Sequence, residues 1–125
     1  MSKLIQPKPE AILYEDERLY CCLATYQITK GHLVVVWKDS VCDLHLLDRN
    51  DYEYLMWVVD RSRDALLKTF GLKKVYLLYM DEVNQVHWHL VPRYDEKGFN
   101  ILNNEPRETF DFSLVDIIKE NLFIN

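Results

Sequence analysis

The sequence predicts an α+β fold, with an antiparallel sheet and helices set apart from it along the chain. Three observations predict it. Residues 11–37 hold short apolar runs separated by brief polar links. Residues 50–70 show apolar positions at helical spacing and stop at Gly71. Two further apolar runs, 74–80 and 85–91, are joined by a link short enough for a hairpin, 81–84.

The elements follow in order. Residues 11–14 (AILY) and 18–24 (RLYCCLA) read as two strands around the turn Glu15-Asp16-Glu17. Residues 32–37 (HLVVVW) are the strongest strand, a β-branched run just after Gly31. Asp48 or Asn50 caps the helix, with Glu53 placed to close a capping box on Asn50. That helix runs to about Phe70, and Gly71 supplies the left-handed stop. Leu55, Val58, Val59, Ser62, Ala65 and Leu66 share one of its faces, and Trp57 lies off that stripe. KVYLLYM (74–80) and QVHWHLV (85–91) are strands, the second ending at Pro92, where a missing N–H is tolerated. Segment 95–110 has no period and reads as a surface loop. Ser113 or Asp111 starts a last helix that turns Leu114, Ile117, Ile118 and Leu122 inward.

Composition narrows the function classes. The chain has 125 residues, 49% apolar and 13% aromatic. That fits one domain over 1–125 with one core, burying roughly two-thirds of its unfolded surface. A net charge of −5 argues against a nucleic-acid polymer as partner. It leaves phosphate substrates open, because a few local donors can hold one phosphate. Cys21 and Cys22 are adjacent, so on a strand they point to opposite faces and make poor disulfide partners. With Cys42 they read as reduced thiols of a cytoplasmic protein. The segment MSKLIQPKPE has no signal-peptide apolar stretch, and no run approaches the roughly 20 apolar residues that span a bilayer. No membrane partner is expected.

The chemistry is concentrated in QVHWHLVPR. Strand alternation puts Gln85, His87 and His89 on one face and Val86, Trp88 and Leu90 on the other. The apolar set seals the strand onto the core, and the polar set is expected to face a cleft or solvent. Neighbours on one face lie about 6.5–7 Å apart, so two imidazoles reach different atoms of one phosphate. A neutral imidazole is a good nucleophile near pH 7 and can attack phosphorus to give a phosphoramidate that water hydrolyses. A second imidazole donates to the charge building on the phosphoryl oxygens. Arg93 could clamp a phosphate if the chain stays extended through Pro92. On spacing alone three readings stay open: catalysis, half of a metal site, or two histidines without a task.

The segment Gln85-Val86-His87-Trp88-His89-Leu90-Val91-Pro92-Arg93-Tyr94 resembles the motif of the histidine-triad (HIT) family. It is most similar to a bacterial branch reading His-Trp-His, two apolar residues, Pro-Arg and an aromatic. Lys30-Gly31-His32-Leu33-Val34-Val35-Val36 resembles that family's Gly-His strand, at the expected place before the long helix. The resemblance covers 11–94 and leaves 95–125 as a C-terminal extension. It implies a five-stranded antiparallel sheet with one long and one C-terminal helix, paired as a homodimer. It implies His87 as the nucleophile, His89 as a phosphate contact and His32 near the site. The implied substrate is a nucleoside phosphate, such as a dinucleoside polyphosphate, cleaved at the α-phosphate without metal or cofactor.

Three positions depart from the family pattern. Gln85 stands where the first histidine is expected, and an amide orients a neighbour without carrying a proton near pH 7. Ala24 stands where relatives have Asp or Asn for the ribose hydroxyls. The 81–84 link is shorter than the family's Gly-rich loop, and Asn84 is the candidate replacement contact. The leading expectation is a nucleotide hydrolase or nucleotidyl transferase acting through His87, with Gln85 and His89 in the catalytic set and His32, Asn84 and Arg93 at the substrate. The alternatives are a nucleotide-binding protein with weakened catalysis and a metallohydrolase built on His87, His89 and His32.

Overall fold

The computed structural model describes residues 4–124. Met1–Lys3 and Asn125, included above in the 1–125 stretch, lie outside the described residues. Strands β1 (Ile12–Glu15), β2 (Leu19–Leu23), β4 (Leu33–Trp37), β5 (Val75–Leu78) and β6 (His87–Pro92) form a five-stranded sheet. Its order is β1-β2-β4-β6-β5, antiparallel at every step. The expected α+β class and strand count are both found.

Helix α1 (Arg49–Phe70) covers one face of the sheet. Asp48 is its cap, accepting the Asp51 N–H at 2.8 Å. Asn50 is already inside the first turn, so the Asn50–Glu53 capping box does not form; Glu53 instead pairs with Arg49 at 3.6 Å. The helix stops at Gly71, left-handed at φ 62°, whose N–H reaches the Leu67 carbonyl. Its buried residues are Leu55, Val58, Val59, Ser62, Ala65 and Leu66, the stripe the spacing predicts. They pack on Leu19, Cys21, Leu33, Val35 and Leu90. Each fully buried Leu or Val contributes roughly 1.5–3 kcal/mol.

Cys21 and Cys22 do face opposite sides of β2. Cys21 sits under α1, 3.5 Å from Ser62 Oγ, and burial pushes its thiol up to about 11. Cys22 belongs to a second apolar cluster with Tyr20 and Val36 on the other face. Both faces of the central strands are therefore apolar, as the wholly buried β2 requires.

Three expectations are corrected. The β5–β6 link spans residues 79–86, not 81–84, because both strands are shorter than their apolar runs. Segment 95–110 is not a plain loop: it holds a 3₁₀ stretch, Gly98–Asn103, and a short strand β7 (Arg107–Glu108). β7 pairs with β3 (Tyr26–Gln27), and Ile101 anchors the segment in the interior. Strands of two residues are too short for periodicity to announce. In helix α2 (Ser113–Lys119) the inward residues are Leu114, Val115 and Ile118, while Ile117 is 47% exposed. Val115 takes the inner stripe with Ile118, which turns Ile117 about 100° away.

Candidate active site

The site is assembled by strand register. Tyr20 pairs with Val36, and Val36 with His87. Cys22 pairs with Val34, and Val34 with His89. These two cross-strand rows floor a cavity of about 250 Å³ on the face away from α1. The segment Leu4, Ile5 and Pro7 closes its side, and Ala24, Thr25 and Tyr26 its end. The face expected to be wet is thus an apolar pocket. His87 is only 5% exposed, yet its ring lines that cavity. On the reverse side Val86 and Leu90 are fully buried, and Trp88 packs on the core against Tyr79.

Hydrogen bonds fix which nitrogen of each ring holds a proton. The Ile28 N–H donates to His32 Nδ1 at 3.1 Å. His32 Nδ1 is therefore bare, and the neutral ring keeps its proton on Nε2. His32 Nε2 lies 2.9 Å from His89 Nδ1, so it donates there. His89 Nδ1 is thereby an acceptor, and its Nε2 is protonated. His87 Nδ1 faces the Gln85 backbone carbonyl at 2.9 Å. A carbonyl only accepts, so Nδ1 holds a proton, and in the neutral ring Nε2 keeps its lone pair. The two rings touch edge to face with centroids 5.0 Å apart. The pocket thus meets one ring with a bare nitrogen and one with an N–H.

Burial keeps the pair neutral. The imidazolium of His32 is disfavoured chiefly by desolvation and then by His89, which takes its pKa down to about 3. His89 is lowered to about 4, again by burial first and then by His87.

Gly31 places His32. It adopts φ 88°, and a Cβ there would lie 2.6 Å from Phe70 Cε2. Only glycine satisfies both the left-handed backbone and the approach of the helix end. Its N–H is held by Gln27 Oε1 at 3.1 Å, and Thr29 ties the same turn to Pro92 O at 2.6 Å.

The other sequence candidates lie elsewhere. Gln85 precedes β6, so strand alternation does not reach it; its side-chain amide donates to Trp37 O at 3.3 Å. Its contribution to the cavity is the backbone carbonyl on His87. Asn84 is exposed, at φ 55° in the 79–86 link, and does not line the cavity. Arg93 follows the end of β6, about 13 Å along the chain from His89, and also lies outside. No lysine or arginine lines the cavity among the described residues. His45 is a surface residue bonded to Asp43 at 2.8 Å, and Trp57 stacks on Tyr54. The sequence reading missed Leu4, Ile5 and Pro7 as pocket wall, because a short polar and prolyl segment has no period to read. A larger cleft of about 750 Å³ lies along the β3–β7 ribbon and the chain on either side of it, with Lys30 and Arg107 set among Glu105, Glu108 and Asp111. No histidine lines it. Among the described residues no three His, Cys, Asp or Glu side chains converge as metal ligands, and the His32–His89 bond engages one nitrogen of each ring. Among them, too, no helix is long and apolar enough to cross a membrane.

A model of the HIT domain family matches residues 6–96. The chain belongs to the HIT domain family. An uncharacterised 13.1 kDa HIT-like protein from Mesomycoplasma hyorhinis is 33% identical over 95 residues, 70% of this chain and 84% of that one. Solved structures share the fold at lower identity. A hypothetical histidine triad nucleotide-binding protein from Sulfolobus tokodaii superposes with TM-score 0.72 at 21% identity, covering 90% of this chain and 83% of that one. The diadenosine triphosphate hydrolase of Plasmodium falciparum superposes with TM-score 0.73 at 12% identity, over 94% and 79%. The HIT match ends near Glu96, so helix α2 and the β7 strand lie beyond it.

Proposed function

We propose that this HIT protein is a nucleotide hydrolase or nucleotidyl transferase that cleaves at the α-phosphate of a nucleoside phosphate through a nucleotidyl-His87 intermediate. The observation that carries the reading is the pair of opposite tautomers in one cavity. His87 offers a bare Nε2, and His89 offers an Nε2–H. His87 Nε2 bonds to phosphorus as the bond to the leaving oxygen breaks, and that oxygen takes the electron pair. His89 Nε2–H donates to the phosphoryl oxygens as their charge grows. Water then attacks phosphorus, the P–N bond returns its electrons to Nε2, and the nucleotide is released.

Family membership supports this reading, as does the hydrolase name of the Plasmodium relative. His32 is a positioning residue, because it acts on substrate only through His89. Gln85 serves through its carbonyl. The experiment is a panel of adenylated compounds, dinucleoside polyphosphates included, given to wild type and His87→Ala. Turnover is expected in the wild type and lost in the variant, while circular dichroism is unchanged. Equal turnover by both would defeat the proposal.

One feature favours a second reading, a nucleotide-binding protein with weakened catalysis. Ala24 lies at the cavity with no carboxylate to hold a ribose. That reading predicts a raised melting temperature with AMP and no product from any substrate. We infer a reducing, cytoplasmic setting from three unpaired thiols, Cys21, Cys22 and Cys42. Homodimer formation rests on the family pattern, and light scattering in solution tests it.

A further inference from the structure

We propose that Asp81 is a positioning residue for His87, its carboxylate stabilising the positive charge the ring gains on bonding to phosphorus. The inference rests on His87 being the nucleophile. Asp81 lies in the link between β5 and β6, and its side chain has no solvent exposure. Oδ1 accepts the Val83 N–H at 2.8 Å and stands 4.0 Å from His87 Nδ1. Oδ2 is buried without a hydrogen-bond partner among the described residues. A carboxylate so poorly satisfied is costly to bury unless a positive charge faces it. No lysine or arginine pairs with it among the described residues; the basic group beside it is the His87 ring.

In the neutral ring that attacks phosphorus, the proton sits on Nδ1, toward the Gln85 carbonyl. When Nε2 forms its bond to phosphorus, Nδ1 keeps that proton and the leaving oxygen departs with the electrons. The ring has then gained one positive charge, its Nδ1 4.0 Å from the buried carboxylate. The pair that is incomplete in the resting protein becomes a buried ion pair in the intermediate. Such differential stabilisation speeds the step that creates the charge. Hydrolysis runs the other way: water's attack returns the electrons to Nε2 and discharges the ring. The carboxylate therefore speeds formation of the intermediate and does not speed its breakdown. Gln85 does not supply this charge, because its amide is neutral and directed to Trp37.

Asp81→Asn separates charge from shape, since its Oδ1 still accepts the Val83 N–H. The p-nitrophenyl ester of AMP serves as probe: the nitrophenolate burst reads formation of the intermediate, and the steady state reads its hydrolysis. The burst rate is expected to fall by about 100-fold. Hydrolysis of the intermediate should be unchanged or faster, and AMP affinity should stay within about twofold. In Asp81→Ala, formate but not formamide should restore the burst. A burst in Asp81→Asn within about threefold of wild type overturns the proposal. So does a parallel fall of both steps and of AMP affinity, which marks a structural role, and so does rescue by formamide equal to that by formate. Covalent label on wild-type His87 with an unaffected Asn variant defeats the Asp81 inference alone. Absence of label on wild-type His87 defeats the parent reading.

Discussion

His32 Nε2 and His89 Nδ1 are joined by a 2.9 Å hydrogen bond whose direction is set from behind, by the Ile28 N–H on His32 Nδ1. A backbone amide in the β3–β4 turn thereby decides which nitrogen of His89 presents a proton to the cavity. Replacing His32 by Phe removes that control and lets His89 place its proton on either nitrogen. The first half-reaction should slow about tenfold with KM little changed, whereas His32→Gln, which keeps a donor near Nε2, should retain most of the rate. Equal losses in the two variants would argue against tautomer control.

The same pair makes the fold sensitive to mild acid. Folded His32 and His89 titrate at about 3 and about 4, while in the unfolded chain each titrates near 6.5. As pH falls below 6.5, the unfolded chain gains protons that the native one refuses. The unfolding free energy therefore drops, by up to about 1.4 kcal/mol per pH unit for each histidine. This stability is complete above pH 6.5 and is lost toward the folded values. Urea melts at pH 7.5, 6 and 5 should show the decline, and a His32→Gln, His89→Gln double variant should flatten it. A flat wild-type profile would contradict the neutral buried pair.

Gly31→Ala should be strongly destabilising, by about 2–4 kcal/mol, from a left-handed backbone and the meeting of Cβ with the Phe70 ring. Combining it with Phe70→Leu should relieve the steric part only, giving a favourable coupling in a double-mutant cycle. Full additivity would mean that the ring yields without cost.

Gln85→Ala should keep the first half-reaction within about fivefold of wild type, since the contact to His87 is made by the backbone carbonyl. Rapid-quench kinetics read this directly. A loss near that of His87→Ala would place the amide among the groups that act on substrate.

The main chain architecture was legible because it is carried by long, regular signals. The α1 stripe from Leu55 to Leu66 and its stop at Gly71 follow from helical spacing and one left-handed residue. That His87 and His89 share the face away from α1 follows from strand alternation. The failures have local causes. Gln85 fell outside the alternation because the strand starts two residues later than its apolar run. Arg93 fell outside because the strand stops at Pro92. The apolar character of the histidine face depends on Tyr20 and Cys22 of β2 meeting Val36 of β4 beside β6, and pairing order is not written in any one segment. Asp81 read as a turn residue, since only the course of the whole link brings its carboxylate beside His87.

The most direct test is intact-protein mass spectrometry, followed by peptide mapping, after a brief acid quench-free reaction with the p-nitrophenyl ester of AMP. One nucleotidyl group on His87 in the wild type and none in His87→Ala is the expected result. Product release by His87→Ala at the wild-type rate, or a label on another residue, would contradict the assignment of His87 as nucleophile.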